Sequence, residues 1–112
     1  MNGISTHVLN TAKGQPAQGV RVTAERLSSD GNFVAAGEGI TDVNGRIPQL
    51  LGSGAALEAG VYRLTFHAGD YFGDNAAFYS EITVQFLVRD PSTHYHVPLL
   101  LSPYGYTTYR GS

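Results

Sequence analysis

Val61-Tyr62-Arg63-Leu64-Thr65-Phe66-His67-Ala68 carries the clearest strand pattern in the chain. Successive side chains of a strand point to opposite faces. Here Tyr62, Leu64 and Phe66 fall on one face, while Arg63, Thr65 and His67 fall on the other. That period predicts a strand with an apolar face towards a core. The pattern recurs outward in both directions. Downstream, Ile82, Val84, Phe86 and Val88 alternate; upstream, Val20, Val22 and Ala24 do so within 19–27, and a further strand is predicted over 33–40. In an opening strand Ile4, Thr6 and Val8 share one face, with Ser5, His7 and Leu9 on the other. Two last strands are predicted over 94–101 and 104–109.

Fourteen glycines and five prolines punctuate these runs and keep each strand short. Asp42-Val43-Asn44-Gly45 reads as a hairpin turn that delivers Arg46 directly after it. One helical turn is expected at 55–59 and a short helix within 70–77. Seven or eight strands with almost no helix in 112 residues predict an all-β, two-layer antiparallel sandwich, one domain spanning 1–112.

Only 14% of residues are charged, below the usual quarter, so less of the surface is a solvated shell and an oligomer is expected. The net charge of -2, with Lys13 the sole lysine, argues against nucleic acid or an anionic membrane as partner. Cysteine is absent, which rules out disulfides, thiol chemistry and cysteine-bound zinc. Apolar runs fall far short of the ~20 residues of a membrane span. No basic segment followed by an apolar one opens the chain, so a cytoplasmic location is expected.

Few residues can carry chemistry. Glycine-rich phosphate loops, a G-x-S-x-G elbow and a zincin helix are missing from the sequence. Asp42-Val43-Asn44-Gly45 shares the start of a calcium loop but lacks its later ligands, so it stays a turn. His94 and His96 share a strand face, yet no cysteine or carboxylate stands close by in sequence and no metal is assigned. Taken singly, His7 reads as a structural strand histidine, His67 as an inert one and Arg46 as a solvated charge. On the strand over 94–101, His94, His96 and Pro98 lie opposite Tyr95, Val97, Leu99 and Leu101. Neither face is strongly polar, so another subunit is expected to cover one of them. The same segment is expected to anchor Tyr109-Arg110-Gly111-Ser112, because chain ends fray unless tied down.

Ile4-Ser5-Thr6-His7-Val8-Leu9-Asn10-Thr11, followed by Gly14-Gln15-Pro16-Ala17, resembles the opening motif of the transthyretin-like proteins. His94-Tyr95-His96-Val97-Pro98-Leu99-Leu100-Leu101-Ser102-Pro103-Tyr104-Gly105-Tyr106 continues the resemblance, as do Thr41-Asp42, Asn44-Gly45-Arg46 and Gly69-Asp70-Tyr71-Phe72. Tyr109-Arg110-Gly111-Ser112 is similar to the tail of the family's enzymatic branch, which hydrolyses 5-hydroxyisourate. The hormone-carrying branch has a different tail and lacks the corresponding histidines.

The resemblance implies a prealbumin-like sandwich assembled as a homotetramer, a dimer of dimers with active sites at the dimer–dimer interface. It implies a small-molecule substrate, 5-hydroxyisourate, whose ring amide is opened by water to 2-oxo-4-hydroxy-4-carboxy-5-ureidoimidazoline during urate catabolism. No cofactor, metal or covalent intermediate is implied. The catalytic positions that carry over are His7, Arg46, His96 and Ser112. The substrate-binding ones are His7, Arg46, Tyr109, Arg110, Gly111 and Ser112; His94, which shares a face with His96, is read as supporting or structural.

These residue types suit the chemistry. Amide hydrolysis needs a base for the water, a cation or donors for the developing oxyanion, and firm positioning. Unperturbed histidine titrates near ~6.5, and a neighbouring guanidinium favours its neutral form. Arg46 can grip a flat, oxygen-bearing ring with two parallel hydrogen bonds. Ser112 can orient a histidine or the ligand. Which histidine takes the proton stays open at this level. No Ser-His-Asp spacing is evident, so water is the expected nucleophile. The alternative is a binding module that carries a small aromatic ligand on the same sandwich without turning it over.

Overall fold

The stretch over 61–68 folds as expected in the computed structural model, which describes residues 3–73 and 76–112. In chain order the elements are β1 (Ile4–Asn10), β2 (Gln15–Pro16), β3 (Arg21–Leu27), β4 (Phe33–Ile40), β5 (Arg46–Ile47), β6 (Gly60–Phe66), α1 (Ala68–Phe72), β7 (Ile82–Val88), β8 (Tyr95–His96), β9 (Leu99–Ser102) and β10 (Gly105–Thr108). Strands β4-β3-β6-β7 form one antiparallel sheet in that order. Tyr62, Leu64 and Phe66 are buried, and Tyr62 faces Phe86 in register as Leu64 faces Val84.

The second sheet is ordered β10-β9-β1-β2, with β5 and β8 also paired to β1. The two sheets close on a core that includes Ile4 and Val8 of β1, Val22 of β3, Leu64 of β6 and Leu99 and Leu101 of β9. Apolar burial from both inner faces is the main stabilising term of such a sandwich.

Four details depart from the sequence expectation. Pairing is not antiparallel throughout: β1 runs parallel to β8 and β9. The whole other sheet lies between these strands in sequence and supplies the long connection that parallel neighbours require. The strand expected over 94–101 is split into β8 and β9 by Val97 and Pro98, because proline has no N–H to give to a ladder. Residues 55–59 are irregular, not helical; there the Glu58 backbone N–H donates to the Tyr62 hydroxyl at 3.1 Å. The helix expected within 70–77 starts earlier, at Ala68, and Gly73 follows it with φ +89°. Residues 74 and 75 of that expectation lie outside the described residues.

Leu64 is fully buried between the sheets. Leu64→Ala should lower unfolding stability by about 2–5 kcal/mol, the range for a buried leucine that leaves a cavity. Denaturant unfolding measures this, and an unchanged midpoint would contradict the core assignment.

Candidate active site

Strand β1 brings the site together through its register. Its residues bond alternately to two neighbours: the Ile4 carbonyl accepts from the Leu50 N–H at 2.8 Å, and the Ser5 carbonyl from the Val97 N–H at 2.9 Å. On one side His7 stands directly opposite Arg46 of β5. On the other, Ser5 stands opposite His96 of β8. Ser5 and His7 share the strand face turned away from Ile4, Thr6 and Val8. Paired residues in a ladder point the same way, so Arg46, His7, Ser5 and His96 line one face.

The Asp42–Gly45 turn positions Arg46. The Asp42 carboxylate accepts from the backbone N–H of Asn44 at 2.9 Å and of Arg46 at 3.0 Å. Gly45 has φ +76°, and a Cβ there would meet the Val8 carbonyl oxygen at 2.4 Å. Only glycine lets this turn lie so close to β1. The Val8 N–H then donates to the Gly45 carbonyl at 2.7 Å, fixing the residue before Arg46.

The chain end is anchored beside β8. The Gly111 N–H donates to the His96 carbonyl at 2.9 Å, in an isolated antiparallel bridge. A Cβ at Gly111 would come within 2.5 Å of the His96 ring carbon Cδ2 and 3.1 Å of Pro98. The imidazole therefore packs directly on the bare α-carbon of Gly111. The guanidinium of Arg110 lies 4.5 Å over the ring of Tyr95, a cation–π contact that fastens the tail to the opposite face of β8. The hydroxyl of Tyr95 is itself held, donating to the Asp90 carbonyl and accepting from its N–H, both at 3.1 Å.

A cleft of about 320 Å³ opens on this face, lined by Ser5, Thr6, Arg46, Pro48, His94, His96 and Ser112. His7 adjoins it beside Arg46. Of the residues nominated from sequence, Arg46, His96 and Ser112 line the cleft, His7 flanks it and Gly111 packs beneath His96. Tyr109 and Arg110 depart from that expectation. They line a different, apolar cleft of about 240 Å³ with Val84, Phe86, Leu87 and Tyr95. The reason is strand alternation: Arg110 follows Tyr95, which points away from His94 and His96.

Ser5 was not nominated from sequence, although it shares a face with His7. Its Oγ lies 2.8 Å from Nδ1 of His96 and 2.8 Å from Nε2 of His94. Only the parallel register beside β8 makes that visible, and nothing local to residues 1–10 encodes it.

His96 is half-buried. Burial pushes its pKa below the ordinary 6.5, and positive charge on Arg46, His7 and His94 acts in the same direction. A neutral imidazole at neutral pH can accept a proton. Among the described residues, no group of three or more His, Cys, Asp or Glu side chains is gathered to hold a metal ion.

The model of the HIUase/Transthyretin family matches residues 4–111. The chain belongs to that family. Among its relatives is a Rhizobium meliloti (strain 1021) protein named 5-hydroxyisourate hydrolase 2, 44% identical over an alignment covering 97% of this chain and 95% of the relative. The structure of Klebsiella pneumoniae 5-hydroxyisourate hydrolase matches with a TM-score of 0.80 at 34% identity, covering 97% of this chain and 98% of that one. Sea bream transthyretin in complex with thyroxine matches with a TM-score of 0.86 at 30% identity, covering 96% and 93%. Family membership confirms the transthyretin-like sandwich expected from the sequence.

If Arg46 helps hold His96 neutral, its removal must let His96 bind a proton more readily. NMR titration of His96 should give a midpoint below the ordinary imidazole value, and Arg46→Ala should move it upward. A downward move, or none, would break the link between these two groups.

Proposed function

We propose that the protein hydrolyses 5-hydroxyisourate, opening its ring amide with water in urate catabolism. Fold likeness does not choose between enzyme and carrier, since a hydrolase and a thyroxine-bound transthyretin both match. The observation that carries the choice is the β1 register, which ranges a depressed-pKa imidazole, a second histidine and a guanidinium along one cleft. A carrier has no use for a general base beside a cation.

In the proposed reaction His96 acts as general base, with His7 helping to hold the water. As the water oxygen bonds to the ring carbonyl carbon, one of its protons passes to His96 Nε2. Arg46 stabilises the negative charge that develops on the carbonyl oxygen, the task of an oxyanion site. The C–N bond then breaks, and His96 returns the proton to the departing ring nitrogen. The new carboxylic acid loses its remaining proton to solvent. Ser112 orients the ligand at the cleft mouth. Gly111 lets the tail pack against His96, while Tyr109 and Arg110 fasten that tail. No cofactor or metal enters these steps.

We assign the assembly as a homotetramer, a dimer of dimers with sites at the interface between dimers. Support comes from the unpaired edges of β7 and β10, from exposed Leu87 and Tyr106 on them, and from exposed Tyr109 just past β10. Uncovered edges and apolar side chains of this kind invite pairing with another copy. A cytoplasmic location belongs to the same proposal; no helix among the described residues is long and apolar enough to cross a membrane.

The purified protein should speed the loss of ultraviolet absorbance of fresh 5-hydroxyisourate above the spontaneous rate. His7→Ala, Arg46→Ala and His96→Ala should each cost ~100-fold or more in turnover while remaining folded. Near-normal rates in all three would refute the assigned roles. Gly111→Ala, which forces a methyl group towards the His96 ring, should cut kcat while leaving the unfolding free energy within about 1 kcal/mol of wild type. Wild-type kcat in that variant would show that the tail packing is irrelevant to catalysis.

A further inference from the structure

Ser5 joins two imidazoles at 2.8 Å each, His96 through Nδ1 and His94 through Nε2, and it is buried at 9% exposure. A hydroxyl has one proton to donate and lone pairs to accept with. Ser5 therefore cannot donate to both rings. If it donates to Nδ1 of His96, that ring carries its own proton on Nε2, and the nitrogen left for the cleft is blocked as a base. If His96 instead donates from Nδ1, Ser5 passes its proton towards Nε2 of His94, and Nε2 of His96 keeps a free lone pair. A third arrangement, with both rings donating, leaves the buried Ser5 proton with neither nitrogen to accept it.

We propose that Ser5 and His94 are positioning residues that hold neutral His96 as its Nδ1–H tautomer, so that the Nε2 lone pair faces the cleft. This rests on the hydrolase reading above and extends it to residues that reading does not use. Three features favour this tautomer. Arg46 lines the same cleft and is purely a donor, so an acceptor on His96 complements it where a second donor would not. His94 is solvent-exposed, so its Nδ1–H can be satisfied by water when its Nε2 accepts from Ser5. The His96 ring also packs on the bare α-carbon of Gly111, which restrains it from turning its Nδ1 away from Ser5. Among the described residues, Arg46 from β5, His7 from β1 and His94 from the segment before β8 act electrostatically on His96, Ser112 lines the same cleft, and the hydrogen bond at Nδ1 is to Ser5.

The test is the ¹⁵N signature of His96 in the full chain, recorded above its titration, where protonated and lone-pair nitrogens differ clearly. Wild type should show the proton on Nδ1. Ser5→Ala should move it to Nε2 and lower kcat about 10- to 100-fold with little change in KM, the scale of losing an orienting partner. Ser5→Thr keeps the hydroxyl and should restore both the tautomer and most of kcat. His94→Leu frees the Ser5 proton for Nδ1 and should also drive His96 to the Nε2–H form. A wild-type His96 protonated on Nε2 overturns the proposal without any variant, as does a Ser5→Ala protein that keeps both tautomer and kcat. If wild type shows the Nδ1–H form yet leaves 5-hydroxyisourate untouched, the hydrolase reading fails and the tautomer lock stands.

Discussion

The register of β1 between β5 and β8 determines which side chains meet in the cleft. His7 opposite Arg46 and Ser5 opposite His96 are consequences of backbone pairing, not of side-chain attraction. A slip of one residue would turn Ser5 and His7 into the core and push Ile4 and Val8 outward. Burial of Ile4 and Val8 therefore specifies the site as firmly as it specifies the fold. The Thr6 hydroxyl, donating to the Val97 carbonyl at 2.7 Å from within the core, ties the same register from the inner face.

Grouping a guanidinium with several imidazoles works against folding unless the rings stay neutral. Burial of His96 and the surrounding positive charge both favour that state. The same grouping thus favours the neutral form of His96, the form the proposed reaction requires. Strained and close-packed glycines serve the same end. Gly45 brings the Arg46 turn against β1, and Gly111 lets the tail lie flat on the His96 ring. Neither position has room for a side chain, so both are constrained by the site's geometry as much as by local chain flexibility.

Much of this was legible in the sequence. The alternation of Tyr62, Leu64 and Phe66 and of Ile82 to Val88 is local, and local patterns fix strand existence and inner face directly. The Asp42–Gly45 turn was legible for the same reason. The parallel pairing of β1 with β8 and β9 was not, because it joins segments some ninety residues apart in sequence, as the 91-residue separation of Ser5 and His96 illustrates. The place of Ser5 between two imidazoles depends on that pairing and has no local sequence signal. The placing of Tyr109 and Arg110 also depended on which face of β8 the tail would grip, a choice set by the Tyr95 ring and invisible in the tail itself. Candidate residues emerged from the family motifs; their grouping emerged from register.

In the proposed reaction β1 aligns an unprotonated His96 with Arg46 to activate water. The pH dependence of kcat/KM for wild-type protein tests it most directly, because that profile reports the ionisation of the free enzyme's essential base. Protonating His96 abolishes the base, so activity should fall on the acid side, and the fall should lie below the ordinary imidazole value of 6.5. An acid limb at or above that value, or a profile with no acid limb, would contradict the account.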